Sequence, residues 1–103
     1  MFTKRALTSL LASFCKELGE KGFPPERLIL FGSYAKGNVH AYSDVDVAVW
    51  SKEFSGEFDD FEKAKPVLKN YPKIQAKLYP SFADETNFDP FIEEIKRTGI
   101  VIL

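Results

Sequence analysis

Residues 28–49 read LILFGSYAKGNVHAYSDVDVAV, and the fold turns on them. Arg27-Leu28-Ile29-Leu30-Phe31 is a short, nearly continuous apolar run that stops at Gly32-Ser33, the pattern of a buried central strand. From Asp44 to Trp50 the chain alternates. Val45, Val47 and Val49 share one face, and Asp44, Asp46, Ala48 and Trp50 share the other. Tyr34 to Ser43 has room for a helical turn and a loop but not for a crossover helix, so the two strands are expected to run antiparallel.

Working outward, Leu7, Leu10, Leu11, Phe14, Cys15 and Leu18 fall on one helical face, and Pro24-Pro25 forbids continuation of that helix. Cys15 lies on the apolar side and reads as a packing residue. Ser51 to Asp60 is polar and reads as an exposed loop. Phe61, Ala64, Val67 and Leu68 then keep helical spacing, with Pro66 expected to kink or delay that helix. Lys73 to Tyr79 is a third strand. Asp89-Pro90 suits an N-cap and first helical position, with Phe91, Ile92 and Ile95 packing inward and Gly99 as the C-terminal cap. Ile100 to Leu103 can form an edge strand. The order helix, strand, strand, helix, strand, helix, strand implies an α/β (α+β) single domain, residues 1–103, built on a small mixed β-sheet flanked by helices.

The chain has 103 residues, 45% of them hydrophobic and 28% charged, a profile that fits a folded globular domain and excludes a disordered tail. With 14 basic and 15 acidic residues, the balance excludes a bulk nucleic-acid surface built on net charge. One cysteine cannot form an internal disulfide. No apolar run approaches the roughly 20 residues that span a bilayer, and a cytoplasmic location with no membrane contact is the expectation.

The chemistry is concentrated in Gly32-Ser33-Tyr34-Ala35-Lys36-Gly37 and Ser43-Asp44-Val45-Asp46-Val47. A glycine at a strand end permits a sharp turn that brings amide donors against a phosphate, and Ser33 adds a hydroxyl there. Lys36 lies close enough to reach the same phosphate, and would serve equally as an exposed helix lysine. Asp44 and Asp46 project from one strand face at a separation that lets both reach one hard cation or two neighbouring ones. Asp is depleted in strands and like charges repel, so this pair calls for a compensating ion. A bound Mg²⁺ would offset the repulsion and bridge phosphates held by the Gly-Ser turn.

Gly32-Ser33, ten residues, then Asp44-Val45-Asp46 is similar to the signature of the DNA polymerase β-like nucleotidyltransferase superfamily. The short chain resembles its minimal nucleotidyltransferase (MNT) branch, and the tail Asn87 to Phe91 and Lys96 to Ile100 is similar to its members. The resemblance implies the nucleotidyltransferase fold and a Mg²⁺-dependent transfer of a nucleoside monophosphate from an NTP, expected to be ATP, to a hydroxyl. Gly32, Ser33 and Lys36 would then bind phosphate, and Asp44 and Asp46 would be the catalytic residues and ligands of one or two metal ions. It also implies a HEPN-domain partner, with the MNT protein as antitoxin and a partner tyrosine as acceptor. So small a domain leaves room for a homo-oligomer too.

One departure bears on activity. The third carboxylate of the resembled family would fall on the strand Pro72 to Tyr79, which holds no acid; Gln75 stands at the expected position, with Lys77 on the same face. An amide is a poor Mg²⁺ ligand, and Asp84 or Glu85 from the next loop are the other acids nearby. The alternative reading is therefore a catalytically weakened nucleotide-binding antitoxin, an interaction module that acts by binding its partner. Among smaller signals, Ser43 is expected to order its loop and His40 to be an exposed loop residue. Tyr34 and Tyr42 flank the motif and could stack on a base, Trp50 reads as core or interface, and Phe82, Phe88 and Phe91 as a partner surface or core.

Overall fold

The computed structural model describes residues 2–85 and 89–103. Helix α1 (Lys4–Glu20) starts behind Thr3, whose hydroxyl accepts from the Ala6 N–H, and buries Leu11, Phe14 and Leu18. Strand β1 (Arg27–Phe31), the short helix α2 (Ser33–Lys36) and β2 (Val45–Ser51) follow, then α3 (Asp59–Leu68) and β3 (Ile74–Pro80). A 3-10 turn at Ser81–Glu85 leads to α4 (Phe91–Thr98) and β4 (Ile100–Val101). None of these helices is long and apolar enough to cross a membrane.

The sheet order is β3-β2-β1-β4. β1 pairs antiparallel with β2, as its short connection requires, and with β4, whereas β2 and β3 are parallel. The sheet is therefore mixed. On one face Leu28, Leu30, Val45, Val47, Val49 and Leu78 pack under α1 and α3, with the half-buried Cys15 against the same core. On the other face Ile29, Ala48, Trp50 and Tyr79 pack under Ile92 and Ile95 of α4. The strand alternation thus sorts residues between two hydrophobic layers.

Several expectations need correction. Ser51 to Asp60 is not an exposed loop throughout, since Ser51 ends β2 and is buried, as are Phe54 and Asp60. In α3 the inward residues are Asp60, Ala64 and Val67, while Phe61 is 49% exposed. Asp60 can be buried because its carboxylate accepts from the Ser55 N–H and hydroxyl at 2.9 Å each and from the Gly56 N–H at 2.8 Å, which ties down the preceding loop. The helix starts at Asp59, so Pro66 does not delay it, and Pro66 lies within its last turn. At α4 the first helical residue is Phe91, one later than expected, although Asp89 Oδ1 still accepts from the Phe91 N–H at 2.9 Å. Phe91 itself is 43% exposed and does not join the core.

Gly99 follows α4, as expected, for a packing reason. A Cβ there would lie 2.9 Å from the Leu30 carbonyl oxygen and overlap Ile29, so only glycine lets α4 turn directly into β4 against β1. Ile95 anchors the same helix and is fully buried. Ile95→Ala should therefore lower stability by about 2–5 kcal/mol. The check is the urea midpoint, and a shift within error of wild type would show that α4 is not held by this contact.

Candidate active site

Gly32 ends β1 with φ 73° and ψ −149°, a conformation that a side chain strongly disfavours. A Cβ at this position would overlap Asp46 Oδ2 and lie 3.1 Å from Asp46 Cγ. The backbone of the turn therefore presses directly on the carboxylate. α2 begins at the next residue, with Lys36 N–H donating to the Gly32 carbonyl at 3.0 Å and Gly37 closing it in the left-handed region. The first N–H groups of such a turn have no partner within the helix and are open to an acceptor.

Asp46 lies on β2, directly opposite Phe31 of β1, and is half-buried. Asp44 stands one residue before β2 and is exposed. Burial, and then the charge of Asp44, push the Asp46 carboxyl above the usual carboxylate range. Ser43 is buried and orders the loop as expected: its hydroxyl accepts from the His40 N–H at 3.0 Å, and its own N–H donates to the His40 carbonyl at 3.0 Å. His40 is exposed, as expected, with Nδ1 accepting from the Tyr42 N–H at 3.3 Å.

Gln75 is the register partner of Asp46 across the parallel β2–β3 pair, and Lys77 is the partner of Ala48. The place beside the acid pair therefore holds a neutral amide, followed by a cation. The Lys77 ammonium lies 5.0 Å from the centre of the Phe91 ring. The side chains of Asp84 and Glu85 lie outside the described residues, as do Asn87 and Phe88. Among the described residues no group of three or more His, Cys, Asp or Glu could hold a metal. Asp46 feels the charge of Asp44, and two such carboxylates suit one hard divalent cation or two neighbouring ones, with water or phosphate oxygens completing the shell.

Other aromatic candidates lie elsewhere. The Tyr34 hydroxyl accepts from the Phe2 N–H at 2.9 Å and its ring centre is 6.3 Å from that of Phe2, so it packs on the α1 side of the sheet. Tyr42 is 84% exposed. Trp50 is core, at the far end of the Asp46 face, 5.1 Å from the Tyr79 ring and with the Arg27 guanidinium 5.3 Å above it. Phe82 is half-exposed. What the sequence reading missed is a cleft of about 240 Å³ beside the turn, with Phe31, Gly32 and Lys36 on one side and Phe91, Glu94 and Thr98 on the other. Its signal was present: Phe91, Glu94, Ile95 and Thr98 share one helical face.

The sequence profile of the nucleotidyltransferase domain matches residues 9–101, which includes the turn, the acid pair and α4. The chain belongs to the nucleotidyltransferase domain family. A Methanocaldococcus jannaschii protein that carries the provisional name protein adenylyltransferase MJ0141 is 32% identical over 78 residues, covering 75% of this chain and 78% of that one. The crystal structure of a provisionally assigned nucleotidyltransferase from Sulfolobus solfataricus superposes with a TM-score of 0.63 at 18% identity, covering 91% of this chain and 77% of that one. The fold of this nucleotidyltransferase domain is thus shared at low sequence identity.

The crowding at Asp46 has a thermodynamic consequence. A carboxyl raised in the folded state favours folding below its unfolded range and opposes it as pH rises through the folded value. Asp46→Asn should therefore stabilise the metal-free domain at pH 7, by at most about 1 kcal/mol because solvent screens the pair, and so raise its melting temperature. The gain should shrink as pH falls through the raised folded value and vanish about one unit below the unfolded value of about 3.9, where Asp46 is protonated in both states. Thermal melts across pH check this, and a variant less stable than wild type at pH 7 would contradict it.

Proposed function

We propose that this nucleotidyltransferase domain transfers a nucleoside monophosphate, AMP from ATP, to a hydroxyl of a partner protein. The single observation that supports the reading is the close approach of the Gly32 turn to the Asp46 carboxylate, which suits a phosphate and a metal ion held side by side. The name of the archaeal relative favours adenylyl transfer to protein.

In this reading Gly32 and Ser33 hold the terminal phosphates through backbone N–H groups and the Ser33 hydroxyl, with Lys36 adding positive charge from the last turn of α2. Asp44 and Asp46 hold a divalent cation, Mg²⁺, which supplies charge neutralisation at the phosphates when bound. The acceptor oxygen attacks the α-phosphorus in line. The bond to the bridging oxygen breaks, pyrophosphate leaves, and the hydroxyl proton passes to water. The rigid turn and strand keep phosphate donors and carboxylates at a fixed separation, so little reorganisation is needed during transfer.

The acceptor is proposed to be a tyrosine of a HEPN-domain partner in the cytoplasm, with this chain as the antitoxin of an MNT-type pair. Such a partner would supply the second-substrate wall that a domain of this size lacks. A second reading follows from Gln75. With an amide where a further carboxylate would stand beside Asp46, the domain binds nucleotide and partner with little turnover.

Incubation with labelled ATP, Mg²⁺ and a HEPN-type protein separates these readings. Transfer to the partner should fall at least about 100-fold in Asp44→Asn and in Asp46→Asn, the scale on which lost charge stabilisation acts. Label transfer unchanged in both variants would remove the acid pair from the mechanism. Tight nucleotide binding without pyrophosphate release would favour the binding reading, and Gln75→Glu should then raise turnover.

A further inference from the structure

The cleft between the Gly-Ser turn and α4 shares Gly32 and Lys36 with the proposed phosphate site and extends from there to α4. Its turn side is Gly32, whose backbone touches Asp46, and Phe31, which lies opposite Asp46 in the β1–β2 register. Its α4 side presents Phe91, Glu94 and Thr98. Phe91 is unusual among the aromatics on this face. Trp50 and Tyr79 are buried in the layer, whereas Phe91 keeps 43% of its surface open while its ring stays oriented by contacts. The Phe31 ring meets it at 70° with centres 6.0 Å apart, and the Lys77 ammonium lies 5.0 Å from its centre. Asp89 fixes the start of the helix. Its Oδ1 accepts from the Phe91 N–H, and its Oδ2 accepts from the Tyr79 hydroxyl at 2.8 Å. Burial works against the Asp89 charge, but these two donors and the Lys77 charge together hold its carboxyl below the usual range.

A half-open aromatic ring held in place, beside a site that grips phosphates, is suited to a flat heteroaromatic group. A volume of about 240 Å³ is enough for a base and sugar but not for a folded protein segment. The polar groups on the α4 side match such a ligand. Glu94 is half-buried, and its Oε2 accepts from Arg97 at 2.5 Å, so the carboxylate is oriented and can still accept from a hydroxyl or an amino group. The Thr98 hydroxyl donates to the Glu94 carbonyl at 2.8 Å and retains acceptor capacity, and Thr98 lines the cleft.

We infer that this cleft is the nucleoside subsite, with the base stacked on Phe91 and a sugar hydroxyl or base amino group donating to Glu94. The inference rests on the reading of the turn and acid pair as a nucleoside triphosphate site and names where the rest of that substrate lies. It assigns recognition to α4, the element that follows the acid-free strand.

Calorimetry with two Mg²⁺-complexed probes tests it: ATP, and inorganic tripolyphosphate, which has the phosphates without a nucleoside. Phe91→Ala should weaken ATP binding by about ten-fold, the scale of one lost base–aromatic stack, and leave tripolyphosphate binding unchanged. Phe91→Tyr, which keeps a ring at the same half-exposed position, should retain ATP affinity and guards against a folding artefact in the alanine variant. Glu94→Gln should weaken ATP and leave tripolyphosphate unaffected. ATP affinity unchanged in Phe91→Ala, or lost equally for both probes, would overturn the subsite while leaving the phosphate and metal site standing. A wild-type chain that binds neither probe would overturn both readings together.

Discussion

The contact between the Gly32 backbone and the Asp46 carboxylate constrains everything around it. The β1–β2 register sets Phe31 opposite Asp46, and the next residue must leave the strand without a side chain, because any Cβ would strike the carboxylate. The turn that offers amides and the strand that offers carboxylates therefore form one rigid unit. A turn and a strand packed this closely are the kind of arrangement that charge stabilisation with little reorganisation uses.

That unit is intrinsically uncomfortable. Two carboxylates share a strand face and one is half-buried, so Asp46 is held above its ordinary range by burial and by its neighbour. The strand tolerates this because its opposite face is apolar. Val45, Val47 and Val49 are fully buried under α1 and α3, and their burial contributes on the order of several kcal/mol. The same strand thus packs Val45, Val47 and Val49 into one layer, and on its other side carries Asp46 at one end and Ala48 and Trp50 in the second layer. The strain is local, and the support for it lies a sheet thickness away.

The face of the candidate site is also less acidic than its motif suggests. The parallel β2–β3 pairing brings Gln75 to Asp46 and Lys77 to Ala48, so the neighbouring strand adds an amide and a positive charge. A cation held by Asp44 and Asp46 would have two protein carboxylates and would depend on phosphate oxygens and water for the rest of its shell. Metal and nucleotide would then bind as a complex more readily than the metal alone.

Much of this was legible in the chain. The apolar run ending at Gly32-Ser33, the alternation from Asp44 to Trp50 and the short connection between them set two antiparallel strands and a sharp turn beside Asp46, because strand periodicity and loop length act locally. The same local rules failed where a long-range contact decided the outcome. Phe61 had the spacing of a core residue, but Asp60 is buried in its stead because three donors from the preceding loop satisfy it. Tyr34 sits next to the motif yet turns to Phe2, thirty-two residues earlier, because α1 packs on that side. The inward face of α4 was visible as a helical stripe, but sequence spacing does not say which wall a stripe meets. Only the tertiary structure, through Gly99 closing on β1 and Ile95 entering the second layer, brought Phe91 and Glu94 across from Gly32 and made a cleft of them.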